Sequence, residues 1–308
     1  MMSNDDAVNH PSPDHLQRKL QNRHLQLIAI GGAIGTGLFM GSGKTISLAG
    51  PSIIFIYMII GLMVFFVMRA LGELLLSNLQ YKSFVDLAYD LLGPWAGFFT
   101  GWTYWLCWVS ICIADLTAIV SYLNSLAPML GWMPEGYQFT PLGGAAISAG
   151  SVLFLMGLNL LTVKLFGEVE FWFALIKIVA IVALIAAGLY MVVTAFTSPS
   201  GSVASIANLW NDGGMFPNGT HGFLAGFQIA IFAFVGIELV GTTAAETKDP
   251  EKNLPKAINS IPIRIILFYV LSLVVVMSVT PWRSVVADKS PFVELFVLVG
   301  LPAAASVI

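Results

Sequence analysis

The sequence predicts an all-α protein that crosses a membrane several times. Of its 308 residues, 57% are hydrophobic and only 10% are charged, whereas soluble domains contain about 25% charged residues. Seven apolar stretches have the length of about 20 residues that a helix needs to cross a bilayer. Glycines interrupt the first and the sixth of these stretches. The predicted fold class is therefore a polytopic helical protein with broken helices.

Composition and charge exclude several classes of protein. The net charge is -3 and no basic cluster is present, so nucleic acid is not expected as a partner. The two cysteines, Cys107 and Cys112, lie in one apolar run, so no disulfide framework or zinc-binding spacing is predicted. The polar residues lack the paired nucleophile and base that group-transfer enzymes require. We therefore expect a lipid bilayer as the partner, no bound metal or cofactor, and no enzymatic activity.

The apolar stretches define the predicted domain organisation. They cover approximately residues 27–48, 52–76, 96–127, 142–161, 168–195, 223–245 and 261–280. An eighth begins at Pro291 and reaches Ile308 without a polar flank, so we expect a chain truncated inside a helix. Residues 1–26 are polar and acidic at their start, unlike a signal peptide. We expect a cytoplasmic tail over 1–26 and a transmembrane domain over 27–308.

The distribution of Lys and Arg among the connections predicts the orientation. Membrane proteins retain an excess of these residues on the cytoplasmic side. With a cytoplasmic N-terminus, nine of them lie in inner segments and three in outer ones. The inner residues are Arg18, Lys19, Arg23, Lys82, Lys164, Lys248, Lys252, Lys256 and Arg264, and the outer ones are Lys44, Arg283 and Lys289. The loop 196–222 then lies outside.

The first span contains six glycines between positions 31 and 43. Each costs about 1 kcal/mol relative to Ala inside a helix, so we expect the helix to unwind near residues 34–37. Backbone that is opened at membrane depth is tolerated where it lines a cavity. The alternative interpretation is that the glycines only permit close packing between helices.

The sixth span has a similar interruption over residues 232–238, which read FAFVGIE. Two interrupted helices at corresponding positions point to a binding site at the midplane of an inverted-repeat transporter. The helix that begins at Thr36 and Gly37 would present its positive end to a carboxylate. The outer half of span six would end near Phe232 and Ala233 with free carbonyl groups for an ammonium. Together these ends fit a zwitterionic amino acid.

Three ionisable residues, Asp115, Lys177 and Glu238, lie within spans three, five and six. Charges inside a membrane are costly and mark functional sites or buried pairs. We expect Lys177 and Glu238 to take part in proton coupling. Asp115 either joins them or only fixes span three through hydrogen bonds. Among the aromatic residues of span three we select Tyr104, whose hydroxyl could reach a polar cavity, although an interfacial aromatic belt explains such residues equally well.

Four segments resemble bacterial amino acid permeases of the amino acid, polyamine and organocation superfamily. They are IGGAIGTGLFMGSG at 30–43, FWFALIK at 171–177, FAFVGIE at 232–238 and the loop AETKDPEKNLPKA at 245–257. The resemblance implies a five-plus-five inverted-repeat fold, with the first repeat and part of the second present here. Many members have Glu where Asp115 stands, which weakens the transfer of a role to that residue.

The resemblance also implies roles for particular residues. In the family, residues matching Gly35, Thr36 and Gly37 hold the substrate carboxylate. Carbonyl groups matching those of Ala33, Phe232 and Val235 hold the substrate amine, with Gly236 in the same break, and the aromatic ring matching Phe232 closes over the ligand. A lysine matching Lys177 takes the place of the sodium ion of sodium-coupled relatives, which implies proton symport.

These observations predict a proton-coupled importer of small neutral amino acids, with D-alanine, D-serine and glycine implied by the resemblance. Another amino acid substrate within the same family is an alternative. A channel, a seven-helix receptor and a membrane-embedded enzyme are further alternatives. Concentrative uptake that collapses with the proton gradient would separate a carrier from a channel, and an altered product would indicate an enzyme. The sequence does not predict an oligomeric state.

Overall fold

The computed structural model describes residue 31 and residues 34–78, 81–160, 163–242 and 249–300. Within these ranges the ordered elements are helices, and Thr197 and Val203 form an isolated β-bridge. In chain order the helices are α1 (Thr36–Phe39), α2 (Gly41–Ala49), α3 (Ile53–Ser77), α4 (Phe84–Leu92), α5 (Pro94–Met129), α6 (Pro141–Asn159), α7 (Val163–Val193), α8 (Gly219–Ala230), α9 (Leu239–Thr242), α10 (Pro250–Asn259), α11 (Ile261–Arg264), α12 (Leu271–Val279) and α13 (Pro291–Leu298).

Six helical segments of the described residues are long and apolar enough to cross a membrane. They are Gly41–Ser77, Pro94–Met129, Pro141–Asn159, Gly167–Val193, Gly219–Gly241 and Pro250–Val279. The prediction of an all-α polytopic protein is confirmed. The count is one lower than the seven predicted spans because α2, which belongs to the first predicted span, and α3, which forms the second, make one continuous segment through the short 3-10 turn Gly50–Ser52.

The eighth apolar stretch is described only at its start, where α13 covers Pro291–Leu298. Residues 301–308 and the predicted tail 1–26 lie outside the described residues. α12 continues α11 through a π-helical stretch, Ile265–Val270, so that these segments and α10 form one long helical run.

The prediction of a loop over residues 245–257 is wrong for its second half. Helix α10 begins at Pro250, a position where the missing amide proton of proline is harmless. Leu254, Ala257 and Ile258 are buried on one face of this helix, which packs against α3. Glu251, Lys252 and Lys256 occupy the exposed face of this amphipathic helix.

The buried core lies among α2, α3, α8 and α12. Three aromatic rings mark its middle: the ring centroids of Tyr57 and Phe234 are 5.3 Å apart, and those of Phe234 and Tyr269 are 5.1 Å apart. In contrast, α5 and α6 expose most of their apolar side chains, among them Phe98 and Leu153. These surfaces suit contact with lipid.

Helix α2 of span one and helix α8 of span six run antiparallel and touch closely. The Asn218 side-chain amide donates a hydrogen bond to the carbonyl oxygen of Leu48 at 2.8 Å. Further along both helices, a Cβ atom added at Gly226 would lie 3.0 Å from the Cβ atom of Ala49. Glycine is therefore needed here for close packing. This contact fixes the two broken spans relative to one another.

Candidate functional site

The first span is not helical at Ile34 and Gly35, and α1 begins at Thr36. Gly35 has an extended backbone conformation, with φ -139° and ψ -164°. The first amide groups of a helix have no carbonyl partner within that helix. The break therefore directs the amide end of α1 toward the space next to Gly35, as the glycine pattern predicts.

The sixth span is interrupted directly after α8. A 3-10 turn over Ile231–Phe234 follows, then Val235 is extended and Gly236 has a positive φ of 102°. A positive φ favours glycine because other residues meet steric strain there. The Glu238 carboxylate accepts a hydrogen bond from the Gly236 amide at 2.8 Å. This hydrogen bond stabilises the non-helical backbone at Gly236.

The two breaks lie side by side. A Cβ atom added at Gly37 would come within 2.6 Å of the carbonyl oxygen of Phe232 and of the Ala233 nitrogen. Only a residue without a side chain permits this approach. The amide end of α1 and the carbonyl end of the 3-10 turn are consequently adjacent, and their partial charges have opposite sign.

A cavity of about 670 Å³ opens at this junction. Its walls come from the break in span one, from α5, from α7 and from the break in span six. A volume of this size is ordinary for a small-molecule site. The cavity therefore lies where the amide end of α1 and the carbonyl end of the 3-10 turn meet.

Two charged side chains bind the broken first span. The Lys177 Nζ atom donates hydrogen bonds to the carbonyl oxygens of Gly31 at 3.3 Å and Ile34 at 3.1 Å. The Asp115 carboxylate accepts a hydrogen bond from the Thr36 hydroxyl at 2.6 Å. Both side chains also line the cavity. The charges predicted within spans three and five therefore meet at the same backbone segment.

The structure brings most of the sequence-predicted site residues to the cavity wall. Those that line it are Gly35, Thr36, Gly37, Asp115, Lys177, Phe232 and Val235. The carbonyl oxygen of Ala233 instead accepts a hydrogen bond from the Tyr269 hydroxyl at 3.0 Å. Ala33 lies outside the described residues.

Three further predicted residues do not line the cavity. They are Tyr104, Gly236 and Glu238. The Tyr104 hydroxyl donates a long hydrogen bond of 3.4 Å to the Glu238 carboxylate. Since Glu238 also accepts from the Gly236 amide, these three residues form one chain of contacts that holds the break in span six.

Trp108 and Glu170 are cavity residues to which the sequence analysis assigns no role. Trp108 lies one helical turn beyond Tyr104, and the two rings meet edge to face at 6.0 Å. Glu170 precedes Lys177 by seven residues on α7, and it lines the same cavity. The seven-residue spacing, which places two residues on one helix face, was the signal that could have identified Glu170.

Comparison with known proteins identifies the family of this chain. The sequence profile of the amino acid permease family matches residues 24–308. The D-serine/D-alanine/glycine transporter of Escherichia coli K12 is 70% identical over 97% of this chain and 61% of its own length. Amino-acid permease AapA of Bacillus subtilis is 54% identical over 100% of this chain and 64% of its own length. Serine permease SerP1 of Lactococcus lactis is 45% identical over 95% and 62%.

The chain thus spans somewhat more than three fifths of the length of these curated relatives. Their names describe transport proteins rather than enzymes. The profile match covers more than nine tenths of the sequence and includes both broken spans. The resemblance that the four motifs indicated is therefore confirmed, and the chain belongs to the amino acid permease family.

Proposed function

We propose that this chain forms the substrate site of a secondary active transporter that imports small neutral amino acids by proton symport and alternating access. One observation carries the proposal: the amide end of α1 and the carbonyl end of the turn at Ile231–Phe234 face one cavity. A zwitterion presents a carboxylate and an ammonium group a short distance apart, so it complements both ends at once.

The substrate carboxylate binds at Gly35, Thr36 and Gly37, where helix amides attract negative charge. The ammonium group binds at the carbonyl groups of Phe232 and Val235, on the other side of the junction. Phe232 is 58% exposed, so its ring is free to cover a bound ligand. Asp115 is occupied by the Thr36 hydroxyl, and it therefore positions the carboxylate-binding segment rather than reaching for the substrate.

The substrates proposed are D-alanine, D-serine and glycine. This choice follows the name of the Escherichia coli relative, which is 70% identical to the chain. Small side chains agree with the cavity, because Trp108 and Phe232 are bulky residues in its wall. A different neutral amino acid is the remaining alternative within the family.

Coupling to protons is assigned to Lys177. Its ammonium group holds two carbonyl oxygens of the same broken segment that binds the substrate carboxylate. Loss of the proton removes the positive charge and weakens these hydrogen bonds, because charged donors form the stronger ones. Proton binding and substrate binding therefore act on one backbone element, which is a physical basis for coupling. Glu238 acts through the second break, which its carboxylate supports.

The proposed location is the bacterial inner membrane, with the N-terminus in the cytoplasm. The Lys and Arg distribution in the sequence supports this orientation. The substrate would enter from the outer side and leave to the cytoplasm as the two broken spans change their exposure. The driving force is the proton gradient, and no metal or other cofactor is proposed.

Uptake of radiolabelled D-alanine tests this function. The full-length gene product is expressed in cells that lack their own D-alanine uptake, and uptake is measured at several external pH values. We expect saturable accumulation against the gradient, stronger at low external pH, and competition by D-serine and glycine. Addition of a protonophore should abolish accumulation within minutes.

Three outcomes would contradict parts of the proposal. Uptake that never exceeds equilibrium would indicate a channel. Accumulation that depends on sodium and not on pH would remove the role of Lys177 in proton coupling. Competition by large or charged amino acids, with none by glycine, would place the substrate in another class. An empty-vector strain is the control for each measurement.

A further inference from the structure

A π-helical stretch, Ile265–Val270, meets the break in span six inside the buried core. π-Helical turns are rare, and they occur frequently at functional sites. Tyr269 lies in this stretch, and its hydroxyl donates a hydrogen bond to the carbonyl oxygen of Ala233 at 3.0 Å. Tyr269 does not line the cavity, so it can act on a bound substrate only through the break itself.

The carbonyl groups around the end of the turn at Ile231–Phe234 are the polar groups that a substrate ammonium would meet. Carbonyl groups at the end of a helical turn have no partner inside that turn. Phe232 and Val235 line the cavity, whereas Ala233 is 1% exposed and does not line it. The chain therefore alternates between cavity and core within a few residues, and Tyr269 binds the part that faces the core.

The Tyr269 side chain is held firmly in place. Its ring stacks on that of Phe234, with the centroids 5.1 Å apart and an angle of 22° between the ring planes. The Ser272 hydroxyl lies 2.6 Å from the carbonyl oxygen of Phe268 and 3.0 Å from that of Tyr269, so it supports the backbone of the π-helical stretch. Packing within the core thus sets the position of the Tyr269 hydroxyl.

The hydrogen bond from Tyr269 restricts the orientation of the neighbouring peptide groups. A peptide unit is planar, so fixing the carbonyl oxygen of Ala233 fixes the plane that joins Ala233 to Phe234. Gly37 packs closely against the preceding peptide unit, which joins Phe232 to Ala233. Tyr269 constrains one of these two adjacent planes and span one constrains the other. Removal of the hydroxyl would release the first of them.

We propose that Tyr269 is a positioning residue for the ammonium group of the substrate. By holding the carbonyl group of Ala233 in the core, its hydroxyl keeps the carbonyl groups of Phe232 and Val235 directed at the cavity. Acceptors that are already oriented bind an ammonium group more tightly, because ordering them during binding costs free energy. The inference rests on the proposed function, and it adds a role for a buried residue that does not touch the substrate.

The test measures uptake of D-alanine and of glycine by the full-length gene product carrying Tyr269→Phe. This variant keeps the ring and removes only the hydroxyl. The KM values for both substrates should rise by the same factor, about three- to tenfold, because the two substrates share the ammonium group. The maximal rate, divided by the amount of protein in the membrane, should stay within about twofold of the parent, as expected for weaker binding alone.

Tyr57→Phe is the matched control. Tyr57 is fully buried in the same core, and its ring centroid is 6.0 Å from that of Tyr269. The Tyr57 hydroxyl has no hydrogen-bond partner among the described residues, so its removal breaks no such bond. The KM values of this variant should stay within about twofold of the parent. An equal rise of KM in both variants would overturn the inference, because it would indicate a general response of the core.

Ser272→Ala tests the same support if Tyr269→Phe does not reach the membrane. It removes the hydroxyl that bonds the carbonyl groups of Phe268 and Tyr269, and it should raise both KM values at least about twofold. Ser278→Ala is its control. Ser278 is also buried on α12, but its hydroxyl bonds the carbonyl oxygen of Val274, outside the π-helical stretch, so the parent KM values are expected.

Four outcomes decide the inference. Parent KM values in Tyr269→Phe, or in Ser272→Ala where the first variant is absent, would overturn the role of Tyr269 and leave the transport function intact. A lower maximal rate with the parent KM would also overturn it, because it indicates a role in folding alone. Unequal changes for D-alanine and glycine would do the same, because they indicate packing against the substrate side chain. No uptake by the parent would instead contradict the proposed transport function.

Discussion

Lys177 is the residue at which the substrate site and the proposed proton coupling meet. Replacing it with methionine keeps most of the side-chain volume and removes the two hydrogen bonds to the carbonyl oxygens of Gly31 and Ile34. We expect Lys177→Met to abolish accumulation of D-alanine against its gradient and to spare exchange between labelled and unlabelled D-alanine. Uptake driven by an imposed pH gradient in vesicles measures the first quantity, and counterflow measures the second.

Lys44→Met is the matched control for this experiment. Lys44 is exposed near the start of α2 and does not line the cavity, so the same loss of charge there should leave accumulation unchanged. Full concentrative uptake by Lys177→Met would show that coupling resides elsewhere. Loss of both accumulation and exchange would indicate that the lysine is needed to form the break rather than to carry a proton.

Alanine substitutions at Gly37 and Gly35 distinguish the effect of close packing from the effect of lining the cavity. An added methyl group at Gly37 would press against the Phe232 peptide, whereas at Gly35 it would meet no atom within 4 Å. Overpacking costs about 1–3 kcal/mol, so Gly37→Ala should weaken D-alanine binding about tenfold or more. Gly35→Ala should change it much less. Equilibrium binding to the purified protein measures both, and equal affinities would remove Gly37 from the site.

The break in span six includes a four-residue turn over 235–238, in which Gly236 has a φ of 102°. Alanine in such a conformation costs about 1–3 kcal/mol. We therefore expect Gly236→Ala to lower the apparent Tm of the purified protein by about 2–8 °C. Gly157→Ala is the control, because Gly157 lies inside α6 and an added methyl group has no neighbour within 4 Å there. A normal Tm for Gly236→Ala would mean that the break can adopt another geometry.

At the scale of elements, the sequence was informative about which helices are broken and less informative about which side chains face inward. The glycine clusters identified both breaks because glycine in a helix carries an energetic cost wherever it stands. Tyr104 and Trp108 show the limit: they lie one turn apart on the same face of α5, and their positions along its axis place Trp108 at the cavity and Tyr104 against Glu238. Which turn meets the cavity is set by packing against other helices, which a single sequence does not encode locally.

Packing between distant parts of the chain also explains two further differences between sequence and structure, at α10 and at Glu170. The sequence presents residues 245–257 as a loop, but the partner face on α3 buries Leu254 and Ile258 and makes the second half of this segment a helix, α10. The seven-residue spacing of Glu170 and Lys177 indicates a shared face of α7, but only packing turns that face toward the cavity. In each case the composition was known, and the missing information was a contact between distant parts of the chain.

At the scale of the whole molecule, the exposed apolar surface of α5 and α6 and the Lys and Arg distribution together predict how the protein sits in a bilayer. Cys107 and Cys112, the two cysteines of the sequence, are exposed on α5 near the middle of a segment long enough to span the membrane. A charged maleimide that cannot cross membranes needs a hydrated thiolate to react. It should therefore leave both cysteines unlabelled in intact cells and label them after denaturation in detergent.

Two added cysteines extend this prediction to the orientation of the chain. Asn211 is exposed in the loop between α7 and α8, and Lys252 is exposed on α10. With the N-terminus in the cytoplasm, the impermeant maleimide should label Asn211→Cys in intact cells and Lys252→Cys only after the cells are permeabilised. The parent protein supplies the background, and the reverse pattern would invert the topology. Such an inversion would also reverse the direction in which the amide end of α1 and the carbonyl end of the turn at Ile231–Phe234 point across the membrane, because each end follows the direction of the chain.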